Sequence, residues 1–204
     1  MAFKSALIRP LARLVARRID AWAGNAVAAQ NKMLTQLLRK GAGTAFGRDH
    51  GLASVRNHQD FQSAVPIRDY EQLKPYIERI KDGQRDVLWP GRPRYFAKTS
   101  GTTSGVKYIP LTTDSLPNHF GTARNALFNY YARSGQGQWL DGKMIFLSGS
   151  PVLEDVGGIP TGRLSGIVNH LVPSWLRSNQ MPSYTVNCIE DWEEKLDKIV
   201  TETL

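Results

Sequence analysis

The sequence predicts an α/β layer fold with a basic helical arm at its N-terminus, and three observations support this. From about residue 90 onward, apolar strand-length runs alternate with segments of helical period, as in α/β architectures. The 204 residues are 41% hydrophobic and 22% charged, an ordinary globular balance, and enough to bury a sizeable core in one or two domains. The net charge of +8 sits at one end: residues 1–48 hold nine bases against one acid, Asp20, whereas the other 156 residues hold 17 of each. A nucleic-acid-binding body is expected to carry a basic face in its main domain. Here the excess belongs to a terminal arm and needs a local explanation.

Several function classes are disfavoured by composition. No stretch approaches the roughly 18–20 uninterrupted apolar residues of a membrane-spanning helix. The single cysteine, Cys188, allows no intramolecular disulfide framework and no multi-cysteine zinc site. It suits a reducing compartment, so a cytoplasmic location is expected. The four histidines, His50, His58, His119 and His170, are scattered without metal-ligand spacing, and no metal cage is expected.

Residues 1–24 form the arm and 25–204 the body. In the arm, Leu7, Ile8, Leu11, Leu14, Val15, Ile19 and Trp22 recur at helical spacing, opposite Arg9, Arg13 and Arg17. Pro10 suits a first helical turn and not an interior, so the helix is expected from about Pro10. The pattern fits a helix packed on the body with a solvated basic face; it also fits a membrane-surface helix or a targeting peptide. Arginines interrupt every apolar run, which argues against a secretory signal.

A second helix follows Asn25, a capping residue, with Val27, Leu34, Leu37 and Leu38 inward and Gly41 at its end. Gly41, Gly43 and Gly47 read as a flexible connection. Asp69 with Gln72 three positions on predicts a capping box, with Pro75 kinking or restarting the helix and Gly83 ending it. Pro90, Gly91 and Pro93 make a turn before the strand-like Tyr95-Phe96-Ala97, and Lys107 to Leu111 reads as a second strand. Thr113 caps a long helix with Leu116, Phe120, Ala123, Leu127, Tyr130 and Tyr131 on one side, closed by Ser134-Gly135. Met144 to Leu147 reads as a buried strand, and residues 149–183 as a long irregular stretch rich in Gly, Pro and Ser. The last helix, from Glu190, turns Trp192, Leu196, Ile199 and Val200 inward.

One segment carries chemistry. Thr99-Ser100-Gly101-Thr102-Thr103-Ser104-Gly105 packs five hydroxyls and two glycines into seven residues, and Lys107 follows. Glycines let a backbone turn its amide hydrogens toward an anion. Hydroxyls add compact donors, and lysine adds a mobile point charge for phosphate. These are the parts of a phosphate cradle. The spacing is not that of a Walker-type loop, which needs four residues between its glycines and a lysine directly after the second. Composition alone also allows a plain Ser/Thr/Gly hairpin loop.

The segment from Phe96 through Thr99–Gly105 and Lys107 to Thr112 resembles the phosphate-binding loop of the adenylate-forming enzymes, which include acyl-CoA synthetases and luciferases. Within them it is most similar to the auxin-responsive promoter family, the acyl acid–amido synthetases. Thr44-Ala45-Phe46-Gly47-Arg48-Asp49-His50-Gly51, Val65-Pro66-Ile67-Arg68-Asp69-Tyr70 and the stretch from Gly158-Ile159-Pro160 to Pro182-Ser183 extend the likeness over roughly residues 25–204. The resemblance implies the N-terminal part of an adenylate-forming domain and a two-step ligase. ATP and a carboxylic acid would give an acyl-adenylate and pyrophosphate, and an amine, typically an amino acid, would then form an amide. It implies that Ser100, Thr102, Thr103 and the glycines wrap the β- and γ-phosphates, that Lys107 contacts phosphate, and that Mg2+ accompanies the triphosphate.

Members of the family are more than twice this long, and no match to their downstream adenosine motifs follows Cys188. The chain is therefore expected to be an N-terminal portion that completes no adenylation alone and binds ATP phosphates weakly at most. A second reading stays open: a non-catalytic truncated protein whose basic arm meets an anionic membrane surface or a partner. Arg163 offers a guanidinium fork for the acyl carboxylate, with a surface-turn arginine as the alternative. His119, on the long helix, could face the acyl site or only solvent. Gly162 to Gly166 has the wrong spacing for a hydrolase nucleophile elbow at Ser165. Trp139, Trp175 and Trp192 read as packing residues, and Cys188 as a buried thiol.

Overall fold

A computed structural model describes residues 3–99, 105–172 and 177–204. Ser100, Gly101, Thr102, Thr103, Ser104 and Trp175 lie outside the described residues, as does the side chain of Phe120. The chain divides into two compact units. One gathers the N-terminal helix up to Ile19 with Asp114–Glu154 and Thr161–Leu204; the other comprises Asp20–Thr113 and Asp155–Pro160.

In the second unit, α2 (Ala26–Gly41), α3 (Ala45–Asp49), α4 (His58–Ala64) and α5 (Tyr70–Lys81) precede the strands β1 (Tyr95–Lys98) and β2 (Tyr108–Leu111). Asn25 stands at the N-cap of α2, but its side chain caps nothing. The glycines after α2 are not a flexible link. Gly47 lies inside α3, where an added methyl would overlap the Gly41 carbonyl oxygen. Only glycine allows that backbone approach. Thr44, buried, fixes the turn by donating to the Gly41 carbonyl at 2.7 Å and accepting from the Gly47 amide at 2.9 Å. Leu38, Leu52 and Val55 form a small core beneath it.

The capping box of α5 is present in both halves: the Gln72 amide donates to Asp69 Oδ1 at 2.9 Å and the Asp69 amide to Gln72 Oε1 at 3.0 Å. Pro75 neither ends nor restarts the helix, which runs on to Lys81. Burial of Ile77 and Ile80 against Phe96, Val87, Ala45 and Ile159 offsets the hydrogen bond that proline cannot make. Gly83, at φ 90°, follows the last turn. Replacing Asp69 with Ala is expected to lower stability by about 1 kcal/mol, read as a shift in urea midpoint without change in slope.

The stretch 149–183 is largely ordered into elements. β4 (Glu154–Val156) and β5 (Ile159–Gly162) join through Gly157 and Gly158, at φ 61° and 72°. Two consecutive left-handed glycines are a tight hairpin signal, which the reading of an irregular stretch overlooked. The four-stranded sheet runs β2-β1-β5-β4. The turn is pinned to α5: a methyl on Gly157 would overlap the Lys81 carbonyl, and Arg92 donates to the Gly157 carbonyl.

In the first unit, α1 (Phe3–Ala23) starts before the expected Pro10, which lies inside it, and packs Ala12 and Val15 on Phe128 and Tyr131 of α6 (Leu116–Ser134) and on Leu140. The Tyr131 hydroxyl donates to the Ser5 carbonyl at 2.9 Å. Helix α6 begins at Leu116, after the predicted cap Thr113, with Pro117 in its first turn, where its missing donor costs nothing. It ends at Gly135, φ 72°, whose amide returns to the Tyr131 carbonyl. Tyr131 is core, but Tyr130 is exposed and donates to Gln136. β3 (Met144–Ile145) pairs in parallel with β6 (Gln180–Met181). Ile145, Phe146 and Leu147 are exposed, contrary to a buried strand. The apolar run has β6 as its one strand partner among the described residues.

Further helices are α7 (Leu164–Leu171), α8 (Tyr184–Asn187) and α9 (Trp192–Thr203). In α9 the inward positions are Lys195 and Ile199, while Trp192 and Val200 are exposed, so the predicted face is rotated. Cys188 is half-buried. Trp139 packs at the edge of the α1–α6 core as expected. The Ser183 amide and hydroxyl donate to the Glu202 carboxylate at 2.7 and 2.6 Å and hold it below the ordinary carboxylate value of 4.5. A lowered folded-state pKa gives stability that is present above 4.5 and lost as pH falls through the folded value. Glu202→Gln is therefore expected to lower the melting temperature slightly at neutrality and to converge with the parent as pH falls well below 4.5, the difference staying small because the carboxylate is exposed.

Candidate functional site

The hydroxyl-rich loop springs from the end of an antiparallel hairpin. β1 and β2 pair Tyr95 with Leu111, Phe96 with Pro110, Ala97 with Ile109 and Lys98 with Tyr108. One further bond closes the loop, from the Thr99 amide to the Lys107 carbonyl at 3.1 Å. Gly105, at φ 78°, takes the left-handed turn that brings the chain back into β2, and a methyl there would meet nothing within 4 Å. The glycine is thus required by backbone angle and not by crowding. Of the predicted phosphate residues, Thr99, Gly105 and Lys107 are described. Thr99 and Gly105 are exposed and Lys107 is half-buried.

Helix α5 braces the strand after the loop at two points. Its first residue, Tyr70, accepts the Tyr108 amide at 2.8 Å through its hydroxyl, and the Lys107 ammonium lies 5.6 Å from the Tyr70 ring centroid. Near its other end, Lys81 stands 4.0 Å over the Tyr108 ring while pairing with Glu78 at 2.8 Å. Tyr108 in turn meets Phe96 edge-to-face at 5.9 Å. Lys107 forms no ion pair with a carboxylate among the described residues. Its charge is held near an aromatic face beside the loop, which suits a cation that must meet an anion. The Asp69 capping box fixes where α5 starts, and so where Tyr70 stands. Sequence reasoning assigned Tyr70 no role. Its position in a segment similar to the family was the one available signal.

The two other predicted residues lie in the first unit. His119 is exposed in the first turn of α6, and Arg163 stands exposed at the N-cap position of α7. The stem of Arg163 crosses Gly149, where an added Cβ would lie 2.8 Å from Arg163 Cδ. Ser165 accepts the Gly149 amide at 3.0 Å, a structural task in place of a nucleophile's. Beneath this loop is a buried polar network: Asn169 donates to the Ser148 hydroxyl at 2.7 Å and Gln180 to Asn169 at 2.9 Å. Lys195, buried, donates to the Asn187 carbonyl at 2.9 Å and the Ser148 carbonyl at 3.4 Å, and burial pushes its pKa below the ordinary lysine value. Among the described residues no group of three or more His, Cys, Asp or Glu is placed to hold a metal ion. No helix among them is long and apolar enough to cross a membrane.

Comparison with known proteins agrees with this fold. A rice (Oryza sativa subsp. indica) protein, indole-3-acetic acid-amido synthetase GH3.8, is 34% identical over 102 residues, which is 49% of this chain and 17% of the relative. The jasmonoyl–L-amino acid synthetase JAR4 of Nicotiana attenuata is 27% identical over 136 residues, 65% of this chain and 23% of the relative. The chain thus spans less than a quarter of these relatives' length. The solved structure of GH3.15 acyl acid amido synthetase superposes with a TM-score of 0.71 at 22% identity, covering 90% of this chain and 32% of that one. At that identity the likeness concerns fold alone. The chain belongs to the GH3 family, and residues 15–196 are the part that matches the family's N-terminal domain.

Proposed function

We propose that loop 99–107 seats the polyphosphate of ATP in a ligase that joins a carboxylic acid to an amine or amino acid. The observation that carries this is Lys107. It is a half-buried ammonium without a carboxylate partner among the described residues, held beside the Tyr70 ring at the foot of a hydroxyl- and glycine-rich hairpin loop. Ser100, Thr102, Thr103, Ser104, Gly101 and Gly105 supply donors and backbone freedom around the β- and γ-phosphates, and Thr99 anchors the loop. The leaving pyrophosphate gathers negative charge, and donors already in position stabilise it without reorganisation. Mg2+ bound to the triphosphate would neutralise part of that charge; oxygen ligands suit it, and the loop hydroxyls are of that kind. Arg163 and His119 are proposed on the acyl side, Arg163 as the carboxylate's partner.

The test is carboxylic-acid-dependent exchange of pyrophosphate into ATP, run on the longest polypeptide that carries these 204 residues. Exchange that needs both the acid and Mg2+ supports the reading. Its absence across aryl and alkyl acids, in a protein that binds no ATP, overturns it. The 204-residue chain alone is expected to bind ATP weakly and to catalyse no exchange.

A further inference from the structure

One face of helix α1 packs into a core. Ala12, Val15 and Ala16 are at most 8% exposed, and Ile8 and Ile19 flank the core that Ala12 and Val15 form with Phe128, Tyr131 and Leu140. A second stripe faces solvent: Leu7 is 72% exposed, Leu11 49%, Leu14 45% and Trp22 57%. With Arg18, these positions repeat at steps of three and four, so they lie along one side of the helix. Arg9, Arg13 and Arg17 occupy the remaining face, together with Asp20, the one acid in residues 1–48. A helix that has already packed its apolar seam on the body ordinarily presents polar side chains elsewhere. This one keeps a second apolar stripe, and arginines border it.

We infer that α1 docks on an anionic lipid surface, with Leu7, Leu11, Leu14 and Trp22 entering the headgroup–acyl boundary and Arg13, Arg17 and Arg18 reaching lipid phosphates. Charge complementarity favours this occupant: helix α1 itself carries five bases, Lys4, Arg9, Arg13, Arg17 and Arg18, against one acid, Asp20. Leucines with a tryptophan beside arginines are the composition of interfacial helices. Arginine stems lie along apolar surface while their heads reach outward. A nucleic acid would use the arginines and leave the leucine stripe wet, because its backbone is met by charged and polar groups. The match to the family's N-terminal domain begins at residue 15, after Leu7, Leu11 and Leu14. None of the stripe residues belongs to the proposed phosphate site, and the inference does not rest on the ligase reading.

The test is co-sedimentation of the full chain with vesicles of phosphatidylcholine containing about one-third phosphatidylserine, against phosphatidylcholine alone. Binding to the anionic vesicles, at least tenfold tighter than to neutral ones and lost at ~1 M salt, is expected; at that salt the screening length is about 3 Å. The surface variant Leu7→Ser/Leu11→Ser/Leu14→Ser is expected to keep its circular dichroism and melting point and to bind at least tenfold more weakly. Arg13→Gln/Arg17→Gln/Arg18→Gln is expected to lose the preference for anionic lipid. Unchanged binding by the leucine variant overturns the inference, since charge alone would explain it. Equal affinity for neutral vesicles also overturns it. A concentration-dependent doubling of mass in sedimentation equilibrium, abolished by the leucine variant, would instead assign the stripe to a second copy of the chain.

Discussion

Alanine at both Ser100 and Lys107 is expected to lower acid-dependent pyrophosphate exchange by at least about 100-fold, the loss that follows removal of even one preorganised donor from a developing anion. Both positions fall between β1 and β2 in the sequence and outside their pairing, so circular dichroism and the melting point are expected to hold. The double variant removes a hydroxyl donor and the half-buried ammonium together while sparing the hairpin ladder, because the pairs from Tyr95 with Leu111 to Lys98 with Tyr108 lie outside the substitution. Tyr70→Phe provides the graded comparison. It keeps the ring beside Lys107 but removes the acceptor of the Tyr108 amide. A several-fold loss is expected, smaller than that of the pair. Exchange in the double variant within a few-fold of the parent would show that the loop does not carry phosphate.

Phe96→Ala is expected to cost about 3–5 kcal/mol, enough to unfold a unit of marginal stability. Phe96 is 0% exposed and packs with Ile77 and Ile80 from α5, Ala45 from α3, and Val87 and Ile159, with the Tyr108 ring edge-on. These neighbours come from five separate stretches of chain, so none can shift to fill the gap without moving another. The check is urea unfolding followed by tryptophan emission. The contrast is Ile67→Ala: Ile67 is apolar but fully exposed, and that change is expected to stay within ~0.5 kcal/mol. Since β1 leads directly into the proposed phosphate loop, Phe96→Ala is also expected to weaken any ATP binding there by unfolding the hairpin beneath it.

Local signals carried the parts of the fold that local physics decides. The Asp69–Gln72 box, the glycine ends at Gly83 and Gly135, and the strands on both sides of the loop were legible because each depends on residues a few positions apart. Features set by distant partners were not. Gly47 reads as a flexible residue until the Gly41 carbonyl is seen against it. The face of α9 was predicted from apolar residues alone. Lys195 turns inward instead, because the carbonyls of Asn187 and Ser148 receive its ammonium, and the second of these lies 47 positions away. The candidate site divides in the same way. Lys107 is legible from its place after the loop. Tyr70, 38 positions before Tyr108, becomes a site residue only when α5 is laid beside β2.

The pinning of Gly157 on the end of α5 and the seat of Ile159 in the Phe96 core have a temporal consequence. The unit that bears the proposed phosphate loop is drawn from residues 20–113, yet its sheet and core are completed by residues 155–160. During synthesis the loop's scaffold must wait for about forty further residues to emerge before its last strand can join. Closure over so long an interval slows folding relative to local helix formation. A nascent chain halted before Ile159 would thus display the loop on an unfinished sheet, with the Ile159 side of the Phe96 core uncovered.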